Sequence, residues 1–259
     1  MNLSLEGKTA VVCGSTQGIG MATATELATL GANVILVARN EEKLKKVASE
    51  LPGNGSHSYV SADFSRPEEL ETTINAFLKD KAVHVLVNNT GGPAGGPINA
   101  AKTVEFVNTF NQHLVCNHIM MQAVKDKMID AKYGRIINVI STSVKQPLDG
   151  LGVSNTIRGA VANWSKTLAN ELGQFNITVN NVLPGATDTV RLKSIIENKS
   201  AKVGRAADDI KNDMANASPM KRIAQPEEVA NAIAFLASPA ASYINGINVP
   251  VDGGRTKSL

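Results

Sequence analysis

Aromatic residues make up only 4% of this 259-residue chain and cysteines number two, against 43% hydrophobic residues, 19% charged residues and 21 glycines. That balance excludes a disordered chain, a collagen-like repeat and a small disulfide framework. Cys13 and Cys116 sit in apolar surroundings, with no C-x-x-C or histidine spacing to mark a metal or redox pair. A reducing cytoplasm is the expected compartment. No run reaches the roughly 18 consecutive apolar residues of a membrane helix. The stretch Met1–Lys8 also lacks the charged head and apolar body of an export signal. Charge of one sign is lacking too: 26 basic and 23 acidic residues leave a net +3, and they are interspersed along the chain. Neither a nucleic acid nor a membrane is an expected partner. The length suits a single α/β domain spanning 1–259, with a core large enough to stand alone.

What is present is an alternation of short β-branched runs with longer helical patterns. Thr9–Cys13, Asn33–Ala38, Ser58–Ser61, Val83–Asn88, Arg135–Ile140, Thr178–Leu183 and Ile247–Val251 read as strands, nearly all continuously apolar. Strands apolar on both faces belong to a sheet covered by helices on each side, and the spacings suit right-handed crossovers. The expected fold is therefore a Rossmann-type, doubly wound parallel sheet of about seven strands. Asn40 can cap Glu41–Leu51, Pro67 opens Glu68–Lys79, and Pro226-Glu227-Glu228 opens Val229–Ala237. Val190–Arg222 differs from the rest: it is polar and weakly helical, and reads as a mobile excursion.

Directly after the first strand comes Gly14-Ser15-Thr16-Gln17-Gly18-Ile19-Gly20, then the helical run Met21–Leu30. In such a turn the glycines allow a sharp reversal, close approach of a pyrophosphate and tight helix packing. The helix N-terminus then offers free amides and a positive dipole. With a second strand following, the pattern points to a dinucleotide site. That second strand ends in Val37-Ala38-Arg39-Asn40, without the acid that would accept the ribose hydroxyls of NAD(H). Arg39 can instead meet a 2′-phosphate, which favours NADP(H), or it is simply solvated. Asp63, past the third strand, either accepts from an adenine amino group or caps a turn.

Taken together, the Gly14/Gly18/Gly20 turn, Asp63, Asn88-Asn89-Thr90-Gly91, Asn180 with Pro184-Gly185 and Thr189, and the tail from Pro226-Glu227-Glu228 to Val251-Asp252-Gly253-Gly254 resemble the short-chain dehydrogenases/reductases. The likeness is greatest to the 3-oxoacyl-carrier-protein reductases and runs essentially end to end. It implies that Asn89 and Gly91 flank the adenosine half of the cofactor, that Pro184 to Thr189 hold the nicotinamide amide, and that 190–222 forms a lid. It further implies a homotetramer built on helices near His113–Ile129 and Asn155–Leu172.

The active-site slots depart from the family pattern of Ser, Tyr and Lys with a supporting Asn. Ser141 keeps the serine slot, while the tyrosine, lysine and asparagine slots hold Ser154, Arg158 and His113. A serine hydroxyl is a far weaker acid than a phenol of pKa about 10 and stops roughly 4 Å shorter. Arg158 keeps the charge but cannot share a proton; it can hold a ribose or a substrate carboxylate as a rigid fork. His113 is a candidate relay or acid, with packing or a subunit contact as the competing role. None of Tyr59, Tyr133 and Tyr243 stands where it could replace the missing phenol. Two functions follow: an NADP(H)-dependent oxidoreductase acting on a small carbonyl or alcohol substrate, or a catalytically impaired dinucleotide-binding protein acting as sensor or partner subunit.

Overall fold

The computed structural model describes residues 1–258. Seven strands form one parallel sheet: β1 (Thr9–Cys13), β2 (Asn33–Ala38), β3 (Ser58–Ser61), β4 (Val85–Asn88), β5 (Gly134–Val139), β6 (Ile177–Pro184) and β7 (Asn248–Val251). Their order across the sheet is β3-β2-β1-β4-β5-β6-β7. The chain therefore reverses its direction of winding beside β1 and β4, the place where open α/β sheets leave a crevice at the carboxyl ends of their strands. The expected single Rossmann-type domain is what forms. Three strand ranges match the sequence reading residue for residue, and the others differ by one or two residues at their ends.

Every strand side chain needs a cover because the sheet is buried on both faces. Along β1, Ala10 and Val12 enter one core while Val11 and Cys13 enter the other. The first core is closed by α1 (Gly18–Thr29), α2 (Glu41–Glu50) and a helix near the end of the chain, Pro226–Ala237, through Leu27, Leu44 and Ile233. The second is closed by α3 (Pro67–Leu78) and two long helices, through Leu70, Ile74, Met120, Val124 and Leu172. Each such fully buried aliphatic side chain contributes about 1.5–3 kcal/mol. Asn40 does cap α2: its Oδ1 accepts from the Lys43 amide at 2.8 Å. Cys13 and Cys116 are free and buried.

After β4 the chain forms α4 (Thr103–Phe110), a π-helical turn over Asn111–Val115, and α5 (Cys116–Asp130). After β5 comes α6 (Gly152–Leu172). The segment read as a weakly helical excursion is more regular than that reading. It holds α7 (Val190–Val203) and α8 (Ala207–Asn216), joined by a small core of Leu192, Ile196 and Ile210. Three apolar anchors among polar residues are too few to give a strong periodic signal, yet they suffice to hold two helices together. The last helix, α9 (Pro226–Ala237), starts at Pro226, with Gln225 and Glu228 capping each other. No helix among the described residues is long and apolar enough to cross a membrane.

Candidate functional site

A cleft of about 550 Å³ runs along the carboxyl edge of the sheet, from α2 to the start of α7. The β1–α1 turn forms its middle. Gly14 has φ +62° and lies against the Asn89 carbonyl, where a Cβ would come within 2.2 Å. Gly18, at φ +55°, brings the start of α1 against Thr189, where a Cβ would meet the methyl group at 2.9 Å. Gly20 lies behind the turn, packed on the Gly14 carbonyl. Asn89 braces this arrangement by donating its side-chain amide to the carbonyls of Cys13 and Gly14. No side chain caps the start of α1, so its first amides are left for another acceptor, as an anion site requires.

The structure gathers most of the residues expected from sequence onto the walls of this one cleft. Gly14, Gln17, Gly18, Ile19 and Asn89 line it at the turn, and Arg39 and Asp63 at one end. Gly91, Pro184, Gly185 and Thr189 line it with Ser141, Ser154 and Arg158 at the other end. Ser15 is not on the wall. It is fully buried, its hydroxyl directed at the Val37 carbonyl beneath the turn. Lys43 and Arg191, which sequence reasoning did not single out, also line the cleft, each beside an expected cation. Among the described residues no group of three His, Cys, Asp or Glu side chains is placed to hold a metal ion.

Arg39 and Lys43 stand at the α2 end, on either side of the Asn40 cap. Asp63 lies beside them. Burial works against its ionisation, but hydrogen bonds from Ser65 and the charges of Arg39 and Arg66 outweigh that and hold its carboxyl below the usual value. Its Oδ1 accepts from the Ser65 amide at 2.9 Å, so it caps a turn while facing the cleft.

At the other end, Ser141 closes β5 and its Oγ accepts from the Ser143 amide at 3.1 Å, leaving its own proton free to donate. Ser154 and Arg158 are one turn apart on α6 and both reach the wall. Arg158 is only 7% exposed, and its Nη1 donates to the Val139 carbonyl at 3.0 Å. Burial and then the neighbouring Arg191 charge bring its pKa down to about 10.

His113 lies outside the cleft lining. It is fully buried in the π-helical turn, with Nδ1 2.7 Å from the hydroxyl of Thr90, a residue that does line the cleft. Its Nε2 has no partner. Burial, followed by the charges of Arg158 and Arg191, lowers its pKa to about 2, so the imidazole is neutral under ordinary conditions. The sign of the stability effect follows. The unfolded chain takes up a proton below pH 6.5 and the folded chain does not, so stability is lost as pH falls below 6.5. Between pH 6.5 and 5 the parent protein is expected to lose about 1.5 kcal/mol more than His113→Gln, measured by urea unfolding. Equal losses would mean that His113 protonates in the folded state. Tyr133 is far from the chemistry, at the amino end of β5, its hydroxyl bonded to the Ala237 carbonyl at 2.7 Å.

The strand order, the glycine turn and the cleft at the carboxyl edge define a Rossmann-type α/β protein. A family model described as Enoyl-(Acyl carrier protein) reductase matches residues 14–256. The 3-oxoacyl-[acyl-carrier-protein] reductase FabG of Pseudomonas aeruginosa is 33% identical over 261 residues, covering 99% of this chain and all of that protein. The NADPH-dependent reductase BacG of Bacillus subtilis is 30% identical, covering 97% of this chain and 99% of that protein. The L-sorbose reductase of Gluconobacter frateurii, solved in complex with NADPH and L-sorbose, superposes with a TM-score of 0.93 at 30% identity over the full length of both chains. This chain belongs to the short-chain dehydrogenase/reductase family and is an oxidoreductase of that kind.

Proposed function

We propose that this protein is an NADPH-dependent reductase acting on a carbonyl/alcohol pair, with an active site in which Ser154 and Arg158 replace the family's tyrosine and lysine. The observation that carries the reading is the single cleft that runs from Arg39 and Lys43, past the glycine turn, to Ser141, Ser154 and Arg158. The residues fit the cofactor. Gly14 and Gly18 let the turn pack against Asn89 and Thr189, where any Cβ would collide, and the α1 amides suit a pyrophosphate. Two cations stand at the end of the cleft where a 2′-phosphate would lie, and Asp63 faces the cleft with its carboxyl held below the usual value, able to accept from an adenine amino group. The pairing of Arg39 with Lys43 supports NADPH over NADH.

NADPH, when bound, supplies the hydride. The chain supplies position and charge. Ser141, with its oxygen already accepting from Ser143, donates a hydrogen bond to the substrate oxygen, and the proton that completes the alcohol comes from water. Ser154 offers a second hydroxyl one helical turn before Arg158 and is too weak an acid to give up its proton. Arg158 fixes a positive charge one helical turn beyond Ser154 on the cleft wall, where it can hold an anionic group without sharing a proton. His113 keeps its neutral ring against Thr90 and so positions the cleft wall. Residues 190–222 cover the substrate end as its lid, and α5 and α6 form the faces of a homotetramer. The exposed Val104, Val107 and Phe110 of α4 supply further apolar area to that assembly.

NADPH consumption against a panel of β-keto thioesters, diketones, keto acids and aldehydes tests the reading. Turnover by the parent protein, lost when Gly18→Val fills the turn, is the expected result. NADPH binding without turnover by any member would favour the impaired, cofactor-sensing relative, whose supporting observation is the absence of a phenol from the cleft wall.

A further inference from the structure

Arg158 is one of two buried arginines among the described residues, and the two are held differently: the other keeps an unpartnered Nε but ties its fork to the backbone and to an aromatic ring. Arg135 donates Nη1 to the carbonyls of Gly134 and Asn176, and its guanidinium stacks 4.2 Å from the centre of the Tyr133 ring. Arg158 has a single hydrogen bond, to Val139, and no aromatic partner among the described residues. Its Nη2 instead reaches toward the bare floor at Gly92, 3.8 Å from where a Cβ would stand. The Nη2 of Arg191, coming from the first turn of α7, reaches the same point at 3.7 Å and donates to the Pro93 carbonyl. Neither arginine takes part in any of the ion pairs among the described residues.

Two guanidinium groups therefore converge on one spot in the cleft wall, one of them desolvated, with no acid to balance either. Like charges brought together out of water are unfavourable unless an anion joins them. The planar forks of arginine match the two oxygens of a carboxylate. The spot adjoins Ser154 and Ser141, at the opposite end of the cleft from the Arg39 and Lys43 pair.

We propose that Arg158 and Arg191 form a receptor for a carboxylate on the substrate, so that this enzyme reduces keto acids in preference to neutral carbonyl compounds. The proposal rests on the reductase reading above and names the substrate class of that same site. The carboxylate bridges the two arginines while the carbonyl oxygen meets Ser141. Arg191 arrives only with the α7 segment, so the lid itself carries half of the receptor.

The test uses the full-length protein saturated with NADPH, and three probes: acetoacetate, its methyl ester, and malonate. Acetoacetate and malonate are expected to raise the melting temperature of the NADPH complex without displacing NADPH, and the ester to leave it unchanged. Arg191→Gln, on an exposed position of α7, should weaken both acids at least tenfold while NADPH affinity stays within twofold of the parent. An ester that binds as well as the acid overturns the proposal, as does acid affinity that survives Arg191→Gln. Displacement of NADPH by malonate also overturns it, because the pair would then serve the cofactor's phosphates. Failure of NADPH to bind the parent protein would instead sink the reductase reading, and this proposal with it.

Discussion

Replacing both cations at the α2 end of the cleft, as Arg39→Glu with Lys43→Glu, is expected to weaken NADPH binding by about 10²- to 10³-fold. NADH affinity should change by less than about threefold. A charge-assisted contact to phosphate is worth roughly 1.5–3 kcal/mol, and the double change removes two such contacts and sets negative charge against the phosphate. The two side chains share no other duty in the structure. Neither forms an ion pair, and the hydrogen bond that fixes the α2 start comes from the Lys43 backbone amide to Asn40, which the substitution leaves in place. The protein should therefore fold normally. Two acids already occupy the first turn of α2, Glu41 and Glu42, so a phosphate there depends on nearby positive charge to overcome them. Fluorescence titration with both nucleotides reads the result. Equal weakening of NADH and NADPH would show that the pair supports the cleft in general and has no part in recognising a 2′-phosphate.

Arg39 was legible in the sequence because it ends a strand in the place where an acid would mark NAD. Lys43 was not, although it is only four residues further on. Its position depends on α2 starting at Glu41, which turns the first helical turn back beside the strand end. The same reason hid Arg191: its neighbour Arg158 is remote in sequence, and only the packing of Leu192 and Ile196 onto Ile210 fixes α7 so that its first turn faces the cleft. Long-range placement of a charge leaves no local pattern to read. The sheet was legible almost completely, because strands covered on both faces must be apolar at every position, as Val34–Val37 and Val85–Val87 are. The π-helical turn was not. An extra residue in a helical turn needs no special side chain, and His113 was accordingly read as part of an ordinary helix. That turn and the two arginines beyond it explain why the histidine is buried and neutral, which spacing alone could not indicate.

The substitution with the largest expected gain is Ser154→Tyr. Around position 154 the cleft offers serine hydroxyls and guanidinium groups, which do not release a proton near neutral pH, and the buried neutral His113 stands behind Thr90. Proton delivery to the substrate oxygen must then come from water, which forfeits the 10²- to 10⁴-fold that a positioned general acid contributes. A tyrosine at 154 extends into the cleft from the face of α6 that also carries Arg158 one turn later. The Arg158 charge would lower the phenol below its usual value of about 10 by favouring the phenolate, moving the acid toward working pH while it stays largely protonated at pH 7. NADPH-dependent reduction of a neutral ketone such as methyl acetoacetate, which makes no demand on the arginine pair, is therefore expected to rise by about 10²-fold or more in kcat/KM. The pH profile supplies the decisive signature. The parent should be nearly flat from about pH 6 to 9, since His113 titrates at about 2 and Arg158 at about 10. The variant should lose activity as pH rises through the phenol's pKa, because only the protonated form donates. If the tyrosine ionises in the near-ultraviolet spectrum and the rate neither rises nor acquires that alkaline limb, proton delivery is not what limits this site.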